Sequence, residues 1–69
     1  MFYRIIDKRD EYAATAYTKD EAIANAINHC VTEGLQVLSF SDIEDCPLII
    51  YIDPDDHSTQ EINIYPINV

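Results

Sequence analysis

Glycine is almost missing from this sequence: Gly34 is the only one in 69 residues. Phosphate-cradling loops and the sharp turn that exposes a serine nucleophile need several glycines close together. Walker-type loops and Gly-x-Ser-x-Gly elbows are therefore excluded. Basic residues are nearly as scarce. Four Lys and Arg stand against thirteen Asp and Glu, a formal charge of −9, so DNA, RNA and anionic membrane surfaces repel the chain at long range. No apolar run approaches the ~18 residues that span a bilayer. No basic, apolar leader precedes the first charges, and export is not expected.

Cysteine occurs twice, as Cys30 and Cys46, which fits reduced thiols in a cytoplasmic protein. With His29 and His57 they are the only soft ligands, and they lack the close pairing that marks zinc sites. The stretch from Asp53 to Glu61 is dense in oxygen ligands, but Ser58 stands where an EF-hand loop needs glycine and Glu61 comes too early to close the coordination sphere. No metal or other cofactor is expected. A reactive thiol needs an electropositive setting, and these cysteines sit among carboxylates. The sequence reads as a binding protein, not an enzyme.

What the chain does have is apolar material, 48% of its residues, enough for one folded domain over residues 1–69. Thr18-Lys19-Asp20-Glu21 is a capping box that starts a helix. Ala22, Ile23, Ala26, Ile27, Cys30 and Val31 form its apolar stripe, with His29 outside it, and Gly34 suits the left-handed position that ends it. Strands are expected at Phe2–Ile6, Leu35–Phe40, Leu48–Ile52 and Glu61–Tyr65. Tyr12–Tyr17 is either a fifth strand or an extension of the helix. Pro66 implies an edge position or a strand end.

The fold class is α+β, a four- or five-stranded antiparallel sheet with one amphipathic helix on one face, in the order β-β-α-β-β-β. The simplest spatial strand order is 2-1-3-4-5. Counting chain direction puts Asp20, Glu21, Asp42, Glu44 and Asp45 with Lys19 at one end of the sheet. Asp7, Asp10, Glu11, Glu33, Asp53, Asp55 and Asp56 fall with Lys8 and Arg9 at the other. Tyr3, Ile49 and Tyr51 are placed on the face away from the helix, one register step from the alternative. A face left bare by a single helix suggests a homodimer or a bound partner.

The candidate binding residues are therefore Asp42, Glu44, Asp45, Asp53, Asp55 and Asp56, whose carboxylates can meet Lys and Arg as phosphates do. Tyr51 joins them as an aromatic anchor. A basic protein or nucleoprotein complex is the expected partner. In overall type, a short acidic α+β chain without catalytic motifs looks like the small phage and mobile-element proteins that disable bacterial defences, the anti-CRISPR and anti-restriction inhibitors. That resemblance implies inhibition by binding the nucleic-acid site of a defence complex, and it carries no residue across. The competing reading is a host-encoded interaction module, an antitoxin, regulator or small subunit, that pairs through its sheet edge or open face.

Overall fold

A computed structural model describes residues 2–67. It shows the strands β1 (Phe2–Asp7) and β2 (Tyr12–Ala16), the helix α1 (Lys19–Glu33), and the strands β3 (Gln36–Ile43), β4 (Cys46–Ile52) and β5 (Thr59–Ile67). The helix starts as its sequence dictates. The Thr18 hydroxyl accepts the Glu21 N–H at 3.1 Å, and at the other end Gly34 adopts φ 67° while its N–H bonds back to the last turn. Tyr12 to Ala16 is a strand and not a helix extension.

All neighbouring strands are antiparallel, in the order β2-β1-β5-β4-β3. This corrects the expected 2-1-3-4-5. The strand directions are the same in both, but the three-strand meander docks on β1 by its last strand instead of its first. The composition of the strands gives the reason. β5 brings Ile62 and Ile64, both fully buried, to the middle of the sheet. β3, with Gln36, Ser39, Ser41 and Asp42 among its eight residues, has the polar content of an edge. Pro66 lies beyond Asn63, the last β5 residue paired with β4, so it sits at a strand end flanked only by β1.

The helix lies chiefly over β1, β2 and β5, and its inward face is small: Ala22, Ala26 and Cys30 meet Ile5, Ile62 and Ile64. Two expectations are corrected here. Ile27 is 46% exposed and Val31 73% exposed, while His29 is buried. The helix carries two parallel rows four residues apart, and the row of small side chains turns inward because it lets the helix approach large β-branched side chains closely. Tyr3, Ile49 and Tyr51 are also buried, on the helix side of the sheet and not on the open face. The register is one step from the one expected. Cross-strand pairing then places Phe2, Ile6, Leu48, Ile50, Ile52 and Tyr65 on the open face, all partly buried, beside Arg4, Glu61 and Asn63.

Candidate functional site

The β3–β4 hairpin turns on Glu44 and Asp45, both in the left-handed region with φ of 54° and 63°. Two such residues between paired Ile43 and Cys46 make the tight hairpin turn whose twist matches that of the strands. The tip is thus acidic by construction. Asp45 is not free, however: its carboxylate accepts the Tyr3 hydroxyl at 2.8 Å and meets the Lys19 ammonium at 3.0 Å. Lys19 also meets Asp42 at 2.9 Å, so the first residue of α1 is tied to the hairpin tip. These contacts hold the Asp45 carboxyl below its usual range, through Tyr3 first and Lys19 second. Asp45 in turn raises the Tyr3 phenol, and Asp42 first and Asp45 second raise the Lys19 ammonium. Glu44, between the two, points its charge into solvent with no partner among the described residues.

At the opposite end the carboxylates converge on Arg9. Its guanidinium meets Asp53 at 2.9 Å and Asp55 at 3.2 Å and also binds Asp10, and these acids, Asp53 foremost, raise it above its ordinary value. Asp53 is itself nearly buried and accepts the Asp55 N–H at 2.8 Å. Asp56 accepts the N–H and hydroxyl of Ser58, which hold its carboxyl below the usual range. The side chain of Asp55 remains 86% exposed. Of the six predicted carboxylates, Asp42, Asp45 and Asp53 therefore serve the fold, while Glu44, Asp55 and Asp56 are presented to solvent. Asp42, Glu44 and Asp45 lie at one end of the sheet and Asp53, Asp55 and Asp56 at the other, as the count of chain direction implies.

Tyr51 does not present a ring to a partner. It is fully buried, and its hydroxyl donates to both oxygens of Asp7 at 2.7 and 2.9 Å. Burial, then the Asp7 carboxylate, raises its phenol above the ordinary range. Asp7 is also fully buried. It accepts the Arg9 N–H at 3.2 Å and faces His29 Nε2 at 3.0 Å. The same Nε2 lies 3.4 Å from Asp10, and the Tyr12 ring stacks on the imidazole with centroids 4.1 Å apart. Sequence reasoning missed this cluster because its members come from three segments with no spacing in common. The one available clue was Asp7 at the end of an apolar strand, in phase with Tyr3 and Ile5. Cys30, close by, has its thiol pushed up by burial and by Asp7 and Asp10, which leaves it a packing residue.

A further group has no counterpart in the expected site. Every residue of β3 except Ser41 is exposed, including Val37, Leu38, Phe40 and Ile43. The pairing with β4 shifts register between Val37 and Ser39, which leaves Leu38 as an extra residue in a bulge. This apolar edge runs directly into the acidic tip. Known protein families, curated proteins and solved structures contain no match to the chain.

Proposed function

We propose that the protein acts by binding another protein, a basic one, through the β3 edge and the acidic hairpin tip. By occupying that surface it blocks the partner's access to nucleic acid. The observation that carries the reading is β3 itself: an edge strand with free backbone groups and four large apolar side chains in solvent, leading into the turn at Glu44. Such an edge accepts a strand or packs on an apolar rim. Glu44 at the tip, and Asp55 and Asp56 at the far end, supply the long-range attraction toward Lys and Arg that sets association rate. The type of the chain, short, acidic and without catalytic motifs, favours a bacterial defence complex as the partner.

The reading is tested with purified CRISPR effector and restriction complexes, by following labelled target DNA through fluorescence anisotropy as the protein is added. The wild type is expected to displace DNA from at least one complex. The exchange E44Q/D55N/D56N should weaken displacement at low salt more than at high salt, because the charges removed act through a screened field. Phe40→Asp should abolish it. If the wild type displaces DNA from none of the complexes, the blocking function is wrong. If displacement survives Phe40→Asp, the β3 edge is not the contact.

A further inference from the structure

Asp7, Asp10 and His29 each offer one ligand atom, and these three atoms lie within 4.8 Å of one another. We propose that they form a binding site for a single divalent transition ion, zinc in preference to magnesium. Asp10 and His29 line a groove of about 600 Å³ between α1 and the β1–β2 hairpin, while Asp7 is fully buried.

The spacing of the donors is the first argument. His29 Nε2 stands 3.0 Å from Asp7 Oδ2 and 3.4 Å from Asp10 Oδ2. A tetrahedral ion with bonds of about 2.0–2.2 Å holds its ligands about 3.3–3.6 Å apart. Two edges of that figure are thus nearly in place, and Asp10, on an exposed turn, can close the third by a small rotation. Valence is the second. One Nε2 carries at most one proton, yet it faces two carboxylate oxygens, and a single ion can satisfy all three atoms together.

The surroundings provide the third argument, since ligands are normally oriented by hydrogen bonds from behind. Tyr51 donates its hydroxyl to Asp7, the Arg9 N–H holds Asp7 Oδ1, and the Arg9 guanidinium takes Asp10 Oδ1, leaving Oδ2 on the side of His29. Tyr12, stacked on the imidazole, fixes its plane. Asp53, Asp55, Glu11 and Glu33 lie at the same end and outnumber Arg9 and Lys8, so the local field draws in cations. The imidazole nitrogen selects zinc over magnesium, which takes oxygen ligands and dehydrates reluctantly. A fourth position is left for water, with room in the groove beside Asn25, Asn28 and Thr32.

The test is calorimetric titration of the full chain with zinc chloride and separately with magnesium chloride, together with thermal unfolding in each. One zinc per chain and a rise in Tm with zinc concentration are expected, with magnesium at least a hundredfold weaker. Asp10→Asn and His29→Gln should each lower zinc affinity at least tenfold. Asp10 is exposed, so its variant should keep the fold, as circular dichroism will show. Cys46→Ser and His57→Gln should bind zinc as the wild type does. Absence of saturable zinc binding overturns the proposal. So does full affinity in Asp10→Asn, or loss of binding in Cys46→Ser, which would place the ion on the exposed thiol.

Discussion

Asp45 shows how a single side chain divides its duty between folding and exposure. It lies in the middle of what the sequence presents as a free acidic loop, yet it is bonded to Tyr3 and Lys19. Because the folded state depresses this carboxyl, its stabilising contribution is complete above the ordinary aspartate value of about 3.9 and is lost as pH falls through the lower folded value. The wild type should therefore melt higher than Asp45→Asn at pH 6, and the gap should close progressively as pH falls below about 4. A gap that stays constant over thermal melts in that range would show that Asp45 acts through turn geometry and not through charge. Sequence made the acidic ends and their two basic partners legible, because chain direction alone brings Lys19 to Asp42 and Arg9 to Asp53. It could not rank the carboxylates, since which of them are satisfied depends on distances between segments. Tyr51 and His29 were misplaced for a related reason: each lies one register or one helical step from the position assigned to it.

The helix was legible at both ends and illegible in its rotation. Thr18 and Gly34 carry local chemistry that does not depend on the rest of the fold, whereas the choice between the Ala22-Ala26-Cys30 row and the Ile23-Ile27-Val31 row depends on what the sheet offers. Hydrophobicity favours the second row, and close approach favours the first. Ile27→Ala should consequently change stability by no more than about 0.5 kcal/mol, as exposed substitutions do. Ala26→Leu should cost about 1–3 kcal/mol, because it forces the helix away from the sheet. Urea unfolding of the two variants checks this. A large loss in the first with none in the second would mean that the helix sits the other way round. Among the strands, the composition of Tyr12–Ala16 fits a strand and a helix extension alike, alanine being a poor strand former, and the Glu44-Asp45 turn is hidden because Glu-Asp is an uncommon pair for a turn of that hand.

For the molecule as a whole, the edge strand β3 dictates solution behaviour in the absence of a partner. A long edge with Val37, Leu38, Phe40 and Ile43 exposed is a template for pairing, so the free protein should self-associate as its concentration rises. Leu38→Lys, which places a charge at the bulge, should return it to a monomer in sedimentation velocity. A monomer at all concentrations for the wild type would count against an open β3. Class and element order were legible at this scale, while the placement of β5 was not, because two antiparallel arrangements share the same strand directions. That placement has a kinetic consequence. The β1–β2 hairpin and the β3–β4–β5 meander each close through short loops, but the seam between β1 and β5 joins Phe2 to Ile67 and closes only when nearly the whole chain has been gathered. Contacts this far apart in sequence are entropically costly to nucleate and slow to form. Closing this seam is accordingly expected to limit the folding rate, and the helix between the β1–β2 hairpin and the meander sets the span of chain that must be gathered to do so.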